Sequence, residues 1–460
     1  MRRKKTDFQR RVNGDVAIEF GDEGMTSYAG LELLIRYLRR IGFNARVRRH
    51  LSVAVNGGDF GVVALCRVIL GLLVVGGRRL HHLKFVQGDG LLQRFCGLQH
   101  LPSDRSVSRG LRRFGASSVE ALRQLNAEEV ARVVGSCVHA RTLTIDVDGT
   151  VLCTGSKVGG AARGYNPHHR KVPSYYPITA LLAESGHLLR LHNRPGNVND
   201  GKSSIPFLQA LFHQIEETLG SGYHLRYRMD GDYFKKEVVE ALEKQKAGFA
   251  LKVPFWRCLD LQSRIRARQR WRRVGDGVDA FFTSITLKKW DRRIKVAIYR
   301  KRVFHETRKN YQLDLFDPDD GTWEYSAVAT NLKLGVRRLW RFMAGRGLHE
   351  KIIGELKSAL ALDTIPTHQY EANSAWQQLV VLTHNLLANF QIETGVIQRP
   401  RTHKRTTHWV LRSAHTLRFE IIHRAGRLVR PEGRLTLRLQ RNRQIENQFN
   451  RISEALAKAA

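Results

Sequence analysis

Apolar residues recur at helical spacing in "LELLIRYLRRI" (31–41) and fill the run "GVVALCRVILGLLVVGG" (61–77) almost without a break. Residues 30–115 therefore read as helical. The run at 61–77 is shorter than the roughly 20 residues a membrane span needs, and Arg67 interrupts it, so it reads as a buried helix. The segment closes with "LPSDRSVSRGLRRFG" (101–115), where Ser103 is placed to cap a helix and Gly115 to stop it. Between them Val107, Leu111 and Phe114 make an apolar stripe, and Arg105, Arg109 and Arg112 make a basic one on another face. A recognition helix is built this way, one side packing and the other meeting phosphates and base edges; an ordinary basic surface helix has the same pattern.

The pattern changes at residue 141. "RTLTIDVDGTVLCTG" alternates and is β-branched, and "SYYPITALLAESG" and "HLLRLHNRPGN" follow with turn signals between them. A helical stretch, "GKSSIPFLQALFHQIEETLG", leads to a strand at "HLRYRMDGDYF", a helix at "KKEVVEALEKQ" and a strand at "GFALKVPF". The order β-β-β-α-β-α-β predicts a mixed sheet with helices packed on it. Residues 255–332 read as a β-rich insertion, with strands at "FFTSITLKKW", "RIKVAIYRKRVF" and "GTWEYSAVATNL". Helical pattern returns in "GVRRLWRFMAGRGLHEKIIGELKSAL" and "NSAWQQLVVLTHNLLANFQ", and the tail from 398 holds a β-like piece, "RLTLRLQ", and a polar terminal helix.

Charge changes what this scaffold is expected to meet. The chain carries 77 Lys+Arg against 42 Asp+Glu, a formal net charge of +35 over 460 residues. An excess of that size favours a polyanionic partner, with nucleic acid ahead of a membrane surface. The five cysteines are odd in number and none are at CxxC spacing, which points away from a disulfide framework or zinc site and towards a reducing cytoplasm. "MRRKKTDFQRR" is basic, but no apolar stretch follows it, so it does not read as a signal peptide.

Three places set carboxylates where a sheet edge can gather them. Asp146 and Asp148 alternate on the first strand, Asp230 and Asp232 do the same on the fourth, and Glu350 lies on a helix beyond the insertion. Strand parity does not choose within either pair. Three converging carboxylates suit two divalent cations of the Mg²⁺ or Mn²⁺ kind, which serve phosphodiester chemistry. On a helix, Arg346, Glu350 and Lys357 share a face, so one acid stands between two cations. His349 adjoins that acid, while His168 and His169 read as exposed loop histidines.

"DGT" (148–150), "RPGN" (194–197), "RMDGDYF" (228–234) and the Arg346…Glu350…Lys357 spacing together resemble the bacterial insertion-sequence DDE transposases, DDE-domain group 1. The resemblance runs through most of 30–450. It implies an α/β fold: an RNase H-like mixed-sheet catalytic core with a β-rich insertion, preceded by an α-helical DNA-binding domain. The expected parts are a basic N-terminal segment (1–29), the helical domain (30–135), the first part of the core (136–254), the insertion (255–332), the second part with the Glu helix (333–397) and a basic tail (398–460). It implies Asp148, Asp230 and Glu350 as catalytic ligands of two Mg²⁺, with Mn²⁺ able to substitute, and Arg346 and Lys357 as contacts to the cleaved DNA end. Where relatives carry a Tyr, three residues before Arg346, this chain has Met343. Trp323 is the candidate for stacking a flipped base, against a plain core or hairpin role. The implied partners are double-stranded DNA, both transposon ends and target, and a second copy of the chain on that DNA, with no membrane. The implied activity is cut-and-paste strand cleavage and transfer in the bacterial cytoplasm. A DNA-binding regulator without catalysis and a stand-alone nuclease are the alternatives.

Overall fold

A computed structural model describes residues 16–21, 24–52, 60–138, 141–164, 171–198, 200–287, 290–303, 323–400 and 407–458. His168 and His169 lie outside the described residues. A nine-stranded sheet organises the molecule. Its strands, in chain order, are β1 (Thr142–Gly149), β2 (Ile178–Leu182), β3 (His187–His192), β4 (His224–Met229), β5 (Gly248–Val253), β6 (Arg272–Gly275), β7 (Val278–Leu287), β8 (Arg292–Arg302) and β9 (Trp323–Thr330). Their spatial order is β3-β2-β1-β4-β5-β9-β8-β7-β6. β1 is antiparallel to β2 and parallel to β4, and β4 is parallel to β5. The expected β-β-β-α-β-α-β order is thus the observed one, and its first and fourth strands are neighbours. The insertion does not make a sheet of its own. β9 pairs antiparallel with β5, so the insertion lengthens the same sheet, after a short helix at Leu261–Arg266.

Both faces of the sheet are covered, and strand alternation assigns them. Leu143, Ile145 and Val147 of β1 join Phe249, Leu251 and Val253 of β5 in one core. That core is closed by α2 (Asp200–Leu219), α3 (Lys236–Lys244) and the end of α1 (Ala116–Cys137). Thr144, Asp146 and Asp148 face the other way. There α4 (Val336–Ala344) lays Val336, Leu339 and Phe342 over Ala250 and the insertion strands. α5 (Gly347–Leu360) and α6 (Tyr370–Thr394) cover the same face nearer β1–β3. The stretch 335–360 reads as one helical pattern but forms two helices. At the joint, Gly345 and Arg346 donate to Phe342 and Met343 three residues back instead of four. A β-carbon on Gly345 would run into Arg228 Nη1, so this position has no room for a side chain.

The N-terminal helices are Leu31–Arg40, Phe43–Leu51, Gly61–Val74, Gly90–Cys96 and Asp104–Leu111. Gly61–Val74 is buried nearly all round, as an apolar run of that length should be. These helices share one continuous apolar cluster with α5 and α6. Ser103 caps Asp104–Leu111 through its hydroxyl, but Gly115 does not stop that helix. Arg112 ends it, and Gly115 starts α1 in extended conformation, a correction that spacing alone could not supply. In the tail, Gly426–Val429 pairs with Thr436–Leu439 and with Met25–Thr26, and helix Arg443–Lys458 buries Ile452 and Leu456. Among the described residues no helix is long and apolar enough to cross a membrane. Cys66, Cys96 and Cys258 are free thiols.

Candidate active site

Parallel register builds the site in two rungs. Asp146 is level with Arg228, which is level with Ala250. Two residues further along each strand, just past the last paired positions, come Asp148, Asp230 and Lys252, and Arg346 bridges the two aspartates. Across β1 on the other side, Asp148 pairs with Thr179.

The inner rung is closed. Asp146 and Arg228 are fully buried and joined by two hydrogen bonds, Nε to Oδ1 at 2.5 Å and Nη2 to Oδ2 at 2.7 Å. The remaining Nη1 donates to the Phe342 carbonyl at 2.6 Å, tying the end of α4 to the sheet. Asp146 is thereby committed, and Asp148 is the member of the pair left facing the opening. Asp232 is exposed, and its backbone amide donates to Asp230 Oδ1 at 3.1 Å, so Asp230 is the inward member of the second pair.

The outer rung is acidic around one guanidinium. Arg346 Nη2 lies 2.6 Å from Asp148 Oδ2 and 3.6 Å from Asp230 Oδ2. Burial pushes the Asp148 carboxyl up to about 7; Arg346 opposes the rise and Asp230 adds to it. Asp230 is raised for the same leading reason. Glu350 is exposed, one turn into α5, and its charge acts on both Arg346 and Lys252. Lys252 is half-buried on β5; burial and then Arg346 lower its pKa, while Asp230, Glu350 and Asp148 hold it up. Among the described residues no group of three or more His, Cys, Asp or Glu is close enough to hold a metal ion. Asp148 and Asp230 meet, and Glu350 stands apart from them.

Several neighbours were not visible as partners in the sequence. Asp200, at the start of α2, is buried, accepts from Arg194 at 2.5 Å and from the Tyr176 hydroxyl at 2.6 Å, and its charge raises Asp148 and Asp230. Arg194 is the first residue of "RPGN", so that motif fastens a fourth acid under the site. His349 is buried, its Nε2 is 2.8 Å from Thr179 Oγ1, and Thr179 donates to the Asp148 carbonyl at 3.1 Å. Burial, with Arg346 and Arg228 nearby, drives the His349 imidazole down to about 3, so it is neutral. Lys357 points elsewhere: its Nζ donates to the Val151 carbonyl at 3.0 Å, fixing the chain just after Asp148.

The remaining expected residues lie outside this cluster. Trp323 opens β9 and lies beside Arg300, whose guanidinium is 4.2 Å from its ring centre and 4.4 Å from that of Trp271. Arg105, Arg109 and Arg112 are exposed while Val107, Leu111 and Phe114 are buried, the two-faced arrangement read from the sequence. A cavity of about 470 Å³ between α5, α6 and the segment around Trp409 contains none of the three acids.

The family model for the transposase DDE domain group 1 matches residues 8–460. The chain belongs to this family. The DDE domain so defined takes in both rungs, the insertion and the N-terminal helices. Among solved structures, this transposase-family chain is similar to a cryo-EM structure of the piggyBac transposase synaptic complex with hairpin DNA. The identity is 11% and the TM-score 0.38, over 78% of this chain and 75% of that one. A search of curated proteins found no match.

Proposed function

We propose that the chain is a DNA transposase that cleaves the ends of its element and joins them to target DNA, with Asp148, Asp230 and Glu350 as its catalytic carboxylates. The observation that carries this reading is the family match over nearly the whole chain, combined with Asp148 and Asp230 gathered on one guanidinium at the ends of neighbouring parallel strands. The strand order β3-β2-β1-β4-β5 supports an RNase H-like core.

The donor set fits a hard divalent cation, Mg²⁺ or Mn²⁺: the facing groups are carboxylate oxygens, with no thiolate or free imidazole among them. The raised Asp148 carboxyl is what mutual repulsion and burial produce, and a cation would relieve it. Asp148 and Asp230 would hold the ion, and Glu350 would join them. Bound there, a divalent cation supplies charge stabilisation at the phosphate and at the attacking and leaving oxygens. The protein's own groups do the rest. Arg346 supplies a cation to the DNA end. His349, neutral and tied to Thr179, keeps α5 seated over the Asp148 strand. Arg105, Arg109 and Arg112 carry the exposed charge of the helical region towards DNA backbone, and Trp323 is offered to an unstacked base. Two copies acting on two ends complete the reading.

The test is incubation of purified protein with DNA from the end of its own element and Mg²⁺, resolved on a denaturing gel. Terminal cleavage that disappears in Glu350→Ala supports the transposase. Tight binding without cleavage in the wild type turns the reading to a DNA-binding regulator, and cleavage without preference for the end turns it to a nuclease.

A further inference from the structure

Arg67 is the one charge in the apolar run 61–77, and its environment is unusual. Its residue is 9% exposed, yet Nε and Nη2 have no hydrogen-bond partner. Nη1 donates to Asn44 Oδ1 at 3.3 Å, and the guanidinium lies 5.2 Å from the Phe95 ring centre. Leaving a buried guanidinium half-satisfied is costly unless an anion completes it. Burial, and then Arg39 nearby, lower its pKa, which is the same conflict seen electrostatically.

The space beside it is a pocket of about 640 Å³ that Arg67 lines together with Arg39, Arg48 and Arg94. No carboxylate is among the described lining residues, and the side chains of Arg39, Arg48 and Arg94 make no ion pair with any described residue. The nine-residue helix Phe43–Leu51 points its N-terminus into the same space. Gly42, in the left-handed region at φ +65°, precedes it, and no side chain caps it. Helix N-terminal amides favour an anion. Four guanidiniums from four helices, one of them buried and unsatisfied, converge with those amides.

We propose that this pocket is a phosphate-binding site, filled by a phosphate group of the DNA backbone. Guanidinium forks match phosphate geometry, and the chain's excess of base gives it a polyanionic partner. The DNA source rests on the transposase reading; the phosphate chemistry of the pocket does not.

The test uses the full chain. Inorganic phosphate is titrated against sodium chloride of equal ionic strength, and the thermal midpoint is followed. A saturable rise specific to phosphate is expected for the wild type. It should be lost in Arg67→Met and in the double variant Arg39→Ala/Arg94→Ala, whose exposed positions leave folding intact. A fluorescent duplex is then bound at several salt concentrations. The slope of log Kd against log salt should fall by about one in the double variant. No phosphate-specific rise in the wild type overturns the site. A rise lost in the variants with an unchanged slope overturns the DNA assignment and gives the pocket to a small phosphorylated molecule. End cleavage by the wild type is scored separately, so its failure sinks the transposase reading and leaves the phosphate site standing.

Discussion

Two carboxylates, Asp146 and Asp148, sit two residues apart on one face of β1, and each meets an arginine, but the two pairs differ in kind. Asp146–Arg228 is doubly bonded, fully buried and completed by the Phe342 carbonyl. Asp148–Arg346 has one close contact, is partly exposed, and shares its guanidinium with Asp230. The first pair has every hydrogen bond it needs and holds α4 to the sheet. The second collects more negative charge than one guanidinium balances, since Asp230 and Asp200 both raise Asp148. A protein that needs only stability would build the second rung like the first. The unbalanced charge is what the proposed binding of a cation and a DNA end at the outer rung would relieve.

The strongest way to break this contrast is to remove each acid in turn. Asp146→Ala leaves Arg228 buried without its partner, and about 3–5 kcal/mol of stability should be lost. Asp148→Ala should cost far less in stability and abolish end cleavage. Denaturant unfolding of the two variants gives the comparison. Equal losses would mean that both rungs are structural. Gly345→Ala attacks the inner rung from the helix side. The added β-carbon meets Arg228 Nη1, and the clamp on the α4–α5 joint must shift, at about 2–3 kcal/mol. A stability within a few tenths of wild type would show that Arg228 can move freely.

The outer rung should respond to pH with the opposite sign from an ordinary ion-paired aspartate. Folded, Asp148 holds its proton up to about 7, whereas in the unfolded chain it releases it near 4. Between those values the folded state binds more protons, so stability falls as pH rises through the window. In metal-free buffer Asp148→Asn should remove that fall, gaining about 1–2 kcal/mol over wild type at pH 7.5 after allowance for exposure, and nothing near pH 4. Thermal midpoints of both proteins from pH 4 to 8 decide it; parallel curves would remove the charge imbalance from the outer rung.

The sequence showed the scaffold better than the pairing. Alternation in "TLTIDVDG" put Asp146 and Asp148 on one face, and the element order made β1 and β4 neighbours. Neither could say which aspartate was spent on Arg228, because that depends on a register between residues 82 apart. The joint at Gly345 was hidden because both sides keep helical periodicity, and its cause is a guanidinium from another strand. Arg194 was noticed within "RPGN", but its bond to Asp200 was not, since turn residues carry no sign of what they hold. Arg67 was visible only as a charge in an apolar run; its neighbours come from other helices.

Lys252 gives the finest test of the contrast. It is the third member of the outer rung, on the strand beyond Asp230. Its electrostatic neighbours are Arg346 and the three proposed catalytic acids. If the outer rung is built for a DNA end, this lysine shares the phosphate with Arg346, and Lys252→Met should slow single-turnover end cleavage about fivefold, roughly 1 kcal/mol in barrier. Lys252→Arg should restore most of the rate, because the charge returns. A lysine that merely offsets its neighbours' charge behaves differently: Met would then leave the rate unchanged while altering the pH dependence of stability. The two roles separate on a substrate whose cleaved-end phosphate is replaced by a neutral methylphosphonate. With a phosphate contact, the Met variant should lose no further rate on that substrate; independent losses that multiply would return Lys252 to the scaffold and leave Arg346 alone at the DNA end.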